Sequence, residues 1–514
     1  IAQGCLPINV FGTAPLDPKA KAYAFGFLHE ATTVEQKVAA FNTTGDLFSG
    51  FGAGTVQGAA GVELRNEKGS NIGSQNGAPD YVRNDYLIQY GESFAGKVDV
   101  IEAYAETNLP LLRDAPLAKR LELDVAGRWS QYKNTGTLGP GNGVKRTHDM
   151  FTWKASGFWD PIDGLRIRGS RSRDSRAANF RELYYGQIIQ AGGWFGYCTP
   201  AGLPPGSTPD ACTWSLEGNV DVKPETSDTT TIGFVFTPRE IIPGLEFAVD
   251  YFHIKITDAI QQANVTRVRE GCQISHIQEF CNLITPDPGV NGALPTPGTN
   301  GNYSYNPATG QGIQLLRATS FNGSAYNYKG LDISGSYRLD MGDLGGLNFR
   351  LLATRMFTQK FSPVPGQAPV NIVGQTGTAN SFLNDNNPSA KWNAQLSSTY
   401  LKGGFSTTLT AHYVGTGKKN YLGVDPSDGD WYIRAPSNWV RYDDNSIGSY
   451  TVFGLNANYR FEGVMGAKSI DLWGNVANLL DRDPPLVGGG SGGTQPIFYD
   501  TLGRYYKVGI RASF

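Results

Sequence analysis

The sequence is poor in charge: 18% of its 514 residues are Asp, Glu, Lys or Arg, against roughly 25% in ordinary soluble domains. Its 44 basic and 46 acidic residues leave a formal net charge of −2, which gives no footprint for a nucleic acid. Histidine is equally scarce, with five scattered residues, His29, His148, His253, His276 and His412. HExxH, CxxC and phosphate-loop motifs are all missing, and with them common signatures of catalysis and cofactor binding. The sequence therefore gives no reason to expect an enzyme, a resident cofactor or a metal site. Asp425, Asp428 and Asp430 beside Gly429 lack the closing Glu of a calcium loop and read as a solvated loop. No run approaches the roughly 18 consecutive apolar residues of a transmembrane helix. The start, Ile1-Ala2-Gln3-Gly4-Cys5, has neither the basic nor the apolar region of a signal peptide, which is then removed or not included. None of this implies solubility, because a membrane β-barrel hides its apolar residues at alternate positions and gives no hydropathy peak.

What the sequence does hold is glycine (65 residues) and aromatic rings (26 Phe, 25 Tyr and 9 Trp), arranged in strict alternation over segments of about ten residues. From Thr451 to Phe461 one face reads Phe453, Leu455, Ala457, Tyr459, Phe461 and the other Val452, Gly454, Asn456, Asn458, Arg460, a strand with one greasy and one wet face. Leu121, Leu123, Val125 and Trp129 alternate in the same way with Glu122, Asp124, Arg128 and Ser130. The pattern predicts fifteen strands, near 37–48, 54–66, 96–109, 119–132, 146–160, 164–176, 227–238, 244–258, 325–340, 347–361, 389–401, 404–416, 449–461, 468–479 and 503–514. One large β-architecture accounts for the length better than three or four ordinary domains.

The connectors sort by parity. Those at 49–53, 161–163, 402–403 and 462–468 are short, whereas 177–226, 261–305, 362–388, 417–448 and 481–502 are long. Short turns on one side and long loops on the other describe an outer-membrane barrel, with periplasmic turns and extracellular loops. Aromatics near strand ends, among them Tyr104, Trp129, Trp159, Tyr400 and Phe461, suit the girdles of such a barrel, although rings in an ordinary core remain the alternative. The last strand carries Tyr506, Val508, Ile510, Ala512 and the terminal Phe514 on one face, similar to the final-strand signal recognised by the bacterial barrel-assembly machinery.

Five segments together resemble the TonB-dependent outer-membrane receptors: Gly169–Leu183 (GSRSRDSRAANFREL), Gly218–Asp228 (GNVDVKPETSD) leading into Thr230–Pro238, Tyr328–Leu339 (YKGLDISGSYRL), Asn475–Pro485 (NVANLLDRDPP) and Tyr499–Tyr506 (YDTLGRYY). The resemblance implies a transmembrane antiparallel β-barrel of 22 strands enclosing a plug that pairs with TonB, and active uptake of a scarce nutrient such as a siderophore or carbohydrate. Residues 37–514 would supply the eighth to twenty-second strands, and 1–36 an extracellular loop. The plug and about seven strands would then come from a missing N-terminal segment or a second chain. An open sheet would leave unpaired backbone groups in lipid, at several kcal/mol each.

On this placement all five cysteines fall in external loops, in an oxidising compartment. Cys198 with Cys212 and Cys272 with Cys281 are expected as local disulfides, with Cys5 paired upstream; free thiols are the alternative. Arg166 and Arg168, continued by Arg171, Arg173, Arg176 and Arg181, could attract an anionic ligand with forked donors, hold carboxylates of the plug, or serve the wall itself. Trp194, Phe195 and Tyr197 in one loop, with Trp431, Tyr432 and Trp439 in another, suit capture of a sugar, aryl or peptide ligand by stacking, or packing among the loops. A barrel whose loops bind another surface protein is the competing function.

Overall fold

In the computed structural model the described residues are 17–24, 30–50, 52–73, 93–139, 141–186, 188–192, 212–263, 268, 277–286, 313–362, 369–377, 388–420, 443–464, 466–487 and 493–514. They are almost entirely antiparallel strand. The wall consists of fifteen strands: β1 (Glu30–Gly50), β2 (Gly54–Gly73), β3 (Phe94–Ala115), β4 (Ala118–Leu138), β5 (Lys145–Ile162), β6 (Leu165–Arg176), β7 (Glu225–Phe236), β8 (Leu245–Gln262), β9 (Ile313–Asp340), β10 (Gly346–Ser362), β11 (Trp392–Lys402), β12 (Phe405–Val414), β13 (Tyr450–Glu462), β14 (Ser469–Ala477) and β15 (Tyr505–Ser513). Each pairs antiparallel with the next. Every strand expected from alternation is present, in a single meander.

The register turns the sequence pattern into two surfaces. Following the ladders, Leu112, Leu121, Trp159, Ile167, Phe234, Val249, Ile333 and Ala353 stand side by side. One residue along each strand, Glu122, Phe158, Arg168, Gly233, Asp250, Asp332 and Thr354 form the row on the opposite face. The first face is the outer one of a membrane barrel, the second the inner. On β4 the outer residues run Leu121, Leu123, Val125, Gly127 and Trp129 before Gln131 donates to Asp149 of β5 at 3.0 Å. These nine positions span about 26 Å of strand, enough at barrel tilt to cover most of an apolar band about 25 Å tall. Val508, at 85% exposure, and Phe514, at 81%, would form an aggregation-prone stripe in water, whereas in hydrocarbon they are solvated.

The turns opposite the long loops are tight. Asp163-Gly164 joins β5 to β6, with Gly164 at φ +80°, the dipeptide that a two-residue hairpin favours. Several boundaries differ from the sequence reading, those of β3 and β1 among them. β3 runs through Pro110, where a turn was expected, to Ala115; a register shift between Pro110 and Leu112 accommodates it, because a bulge tolerates a residue without N–H. β1 starts at Glu30 rather than near residue 37, since its ladder with β2 continues to Gly73, beyond the part with a greasy face. Among the described residues helices are few and short, with α1 (Pro18–Ala24), α2 (Phe180–Tyr184) and α3 (Gln278–Cys281), and none is long and apolar enough to cross a membrane.

Candidate functional site on the inner wall and loop-side mouth

Two arginines singled out by sequence, Arg166 and Arg168, face inward on β6. Arg166 donates to both carboxylate oxygens of Asp160 at 2.7 and 2.8 Å, its guanidinium 4.0 Å above the ring of Phe158. Arg168 donates to both oxygens of Asp250 at 2.8 and 2.5 Å. Such fork-to-carboxylate pairs are geometrically specific and neutralise the charge in place. The supposed arginine ladder is also divided between faces, because alternation along β6 sends Arg171 and Arg173 outward beside Ile167. There Arg171 donates to the hydroxyl of Thr230, and Arg173 pairs with Asp228 at 2.9 Å.

A second inner cluster, which the sequence reading missed, lies between β2 and β4. Glu102, 7% exposed, accepts from Arg128 and from the Tyr132 hydroxyl, each at 3.2 Å. Arg65 donates to the Tyr132 oxygen at 3.1 Å and pairs with Glu63 at 2.8 Å and Glu67 at 3.1 Å. Its members come from alternate positions of three separate strands, so no local motif announces it.

Above this cluster the β6–β7 connection folds inward. Asn179 caps α2 by accepting from the Glu182 backbone N–H at 2.9 Å, while Glu182 accepts from that of Asn179 at 2.7 Å, a capping box. Arg176 then donates to Glu182 at 2.9 Å and to Glu225 at 2.7 Å, tying α2 to the start of β7. Leu183 and Tyr184 are fully buried against Phe94, Val98 and Val100 of β3, and burial pushes the Tyr184 hydroxyl pKa up. The wall accommodates the rings through glycine: a Cβ on Gly96 would lie 2.5 Å from Tyr184, and one on Gly69 2.7 Å from Phe180.

Also on the loop side, three segments close over Val414 and Tyr450. Ile447, Val487 and Tyr499 are buried there, with the Tyr499 ring edge-on to Tyr450 at 5.3 Å. Asn478, at φ +46°, accepts from the backbone N–H of Arg482 at 2.8 Å and donates to its carbonyl at 2.9 Å. Asp481 accepts from the backbone N–H of Arg504 at 3.0 Å.

The family match is decided across most of the length. The model of the family described as TonB dependent receptor-like, beta-barrel, matches residues 13–479. This chain belongs to the TonB-dependent receptors. It is a β-barrel chain of the outer membrane, and the family is one of transport receptors. No curated protein matches the receptor. Solved structures similar to it include a mutant ferric enterobactin receptor from Pseudomonas aeruginosa, with 15% identity and a TM-score of 0.47 over 95% of this chain and 62% of that one. The siderophore receptor PirA from Acinetobacter baumannii has 14% identity and a TM-score of 0.45, over 94% and 63%. A Serratia marcescens hemophore receptor, HasR, solved with its hemophore and heme, has 15% identity and a TM-score of 0.48, over 88% and 56%. The receptor chain thus spans less than two thirds of the length of these structures.

Four of the five segments that carry the resemblance meet in pairs at structural corners, while Tyr328–Leu339 lies within β9. Gly169–Leu183 meets Gly218–Asp228 through Arg173–Asp228 and Arg176–Glu225, and Asn475–Pro485 meets Tyr499–Tyr506 through Asp481–Arg504. Trp194, Phe195, Tyr197, Trp431, Tyr432 and Trp439, with Cys5, Cys198 and Cys272, lie outside the described residues. Cys212 begins the strand Cys212–Glu217. Cys281 is buried and disulfide-bonded. Among the described residues no group of three or more His, Cys, Asp or Glu is placed to hold a metal.

Proposed function

We propose that this chain forms most of the wall and the ligand-capturing loops of a receptor that imports a scarce nutrient, a siderophore, carbohydrate or similar compound, with energy delivered through TonB. The observation that carries the reading is the two-faced sheet of fifteen strands within the family's barrel. Among the described residues β1 and β15 each hydrogen-bond along one flank only, and almost all of β1 is exposed. In hydrocarbon an unpaired row of N–H and C=O groups costs several kcal/mol per group. About seven further strands, making 22, and a TonB-contacting plug would come from a preceding segment or a second chain.

Capture falls to the loops in this reading, since Arg166 and Arg168 are each engaged by a carboxylate of the wall. Trp194, Phe195, Tyr197, Trp431, Tyr432 and Trp439 would stack on the ligand, Cys198–Cys212 and Cys272–Cys281 would brace their loops, and the Tyr506 to Phe514 stripe would direct assembly. Cells carrying the complete receptor, with and without TonB, would be tested with radiolabelled ferric catecholate, ferric hydroxamate and oligosaccharide probes. Accumulation of one probe that needs TonB, and that drops at least tenfold in a Trp431→Ala/Tyr432→Ala/Trp439→Ala variant, is the expected result. Accumulation of none, with a protein held stoichiometrically at the loop face, would favour the interaction role instead.

A further inference from the structure

Charge is divided unevenly around the inner wall. On β2 to β8 the inward rows carry the cluster of Arg65, Glu102 and Arg128 and the forks of Arg166 and Arg168. Among the described residues, β11 and β12 carry no inward charge. From Asn393 to Leu401, β11 turns only amides, hydroxyls and one leucine inward; from Ser406 to Val414, β12 turns only hydroxyls, His412 and Val414. β13 adds Asn456 and Asn458, with Arg460 below them forked onto Asp471 at 2.7 and 3.1 Å. β14 adds Asn475 and Trp473. Inward cations stand at the margins of this sector, Arg350 opposite Ser397 and Lys507 opposite Asn475, about 24 Å apart across the sheet.

The side chains of Gln395, Asn456, Asn458 and Asn475 make no hydrogen bond among the described residues. Asn393, by contrast, is held by His412 Nε2 at 2.9 Å, and Thr399 by Thr408 at 2.9 Å. Gln395 lies at the loop-side end, on an open recess of about 480 Å³ that Met356, Gln359 and Phe498 also line. Three inward rows lower, about 20 Å down the strands, Trp473 lies across Gly509, where a Cβ would come within 2.5 Å of its ring. An amide donates and accepts, as a hydroxyl does, without carrying charge, and an indole ring offers a flat apolar body. An anionic ferric complex would meet no counter-charge between the two margins. Resting on the reading of this chain as an import receptor, we propose that this sector is the ligand's track through the lumen. The ligand is an uncharged polyhydroxylated compound of the oligosaccharide class, its hydroxyls bonded by Gln395, Asn456, Asn475 and Asn458 and the apolar face of a ring laid on Trp473.

The test is isothermal titration of the complete receptor in nanodiscs with neutral gluco-, manno-, xylo- and galacto-oligosaccharides, and with ferric catecholate and ferric hydroxamate complexes. At least one neutral oligosaccharide is expected to bind, and the Gln395→Leu/Asn458→Leu/Asn475→Leu variant to bind it roughly thirtyfold more weakly. Trp473→Ala should weaken it roughly tenfold. An Arg166→Gln/Arg168→Gln variant, altered in the charged sector, should bind it as the unmodified receptor does, and heat-modifiable gel mobility reports that each variant is folded. Binding of no neutral oligosaccharide, undiminished binding by the Leu variant, or an equal loss in the Gln variant would each overturn the assignment. If the Leu variant does not fold, the ligand panel on the unmodified receptor and the Trp473→Ala comparison still decide. Oligosaccharide binding without TonB-dependent accumulation would count against import alone, and accumulation of a ferric complex without oligosaccharide binding would count against this ligand alone.

Discussion

Arg168 and Asp250 are 82 positions apart in sequence and 2.5 Å apart in space. Alternation showed that Arg168 faces the wet side; it could not show that an acid from another strand completes the fork, because that depends on register. Both side chains remain partly exposed, 48% and 28%, so the pair resembles a surface bridge more than a buried one. Arg168→Ala should therefore lower unfolding stability in micelles by only about 1 kcal/mol and leave ligand uptake unchanged. A collapse of uptake without a change in the urea midpoint would instead make Arg168 a ligand contact. Gly96 is a sharper case. Gly96→Val forces a branched side chain into the space of the Tyr184 ring, and overpacking of this kind costs about 1–3 kcal/mol. The expected signature is a lower melting temperature together with protease cleavage between Arg176 and Glu225, where α2 is displaced from the wall. Nothing in the sequence marked Gly96, since its partner lies 88 positions away in a connector.

The fifteen strands were legible because each has a stretch in which one face meets hydrocarbon and the other water. Where that contrast ends, so did legibility. β9 begins at Ile313, twelve residues before alternation would start it, and its extra length pairs with Ile284–Pro286 and Cys212–Glu217. Side chains such as Ser320 and Asn322 there give no greasy face to read. The five family-like segments were legible as a set, yet the corners at which four of them meet were not, because each corner is built from two segments. β15 offers a test at this scale. Val508 lies opposite Gly474, which lies opposite Ala457 at the middle of the β13 apolar stripe. Val508→Lys is expected to destabilise bilayer insertion by about 2–4 kcal/mol, measured by reversible folding into lipid vesicles. Its neighbour Arg511, on the inner face opposite Asp471, should tolerate Arg511→Gln with a change under about 0.5 kcal/mol. Equal penalties at the two positions would mean that β15 does not separate lipid from water.

At the scale of the whole molecule, the described residues form no single hydrophobic core. The buried clusters sit at the loop side, around Leu183 and Tyr184 and around Tyr450 and Tyr499, and the middle of the wall is one strand thick. Such a wall is stable only if the bilayer replaces the second protein layer that a soluble sandwich would supply. The most direct measurement is nitroxide scanning of the complete receptor in lipid vesicles, with single labels from Leu121 to Arg128 of β4 and accessibility read against oxygen and a water-soluble nickel complex. Oxygen accessibility is expected to peak at 121, 123, 125 and 127, and nickel accessibility at 122, 124, 126 and 128. A flat profile, or nickel contact on both faces, would contradict a lipid-facing outer surface.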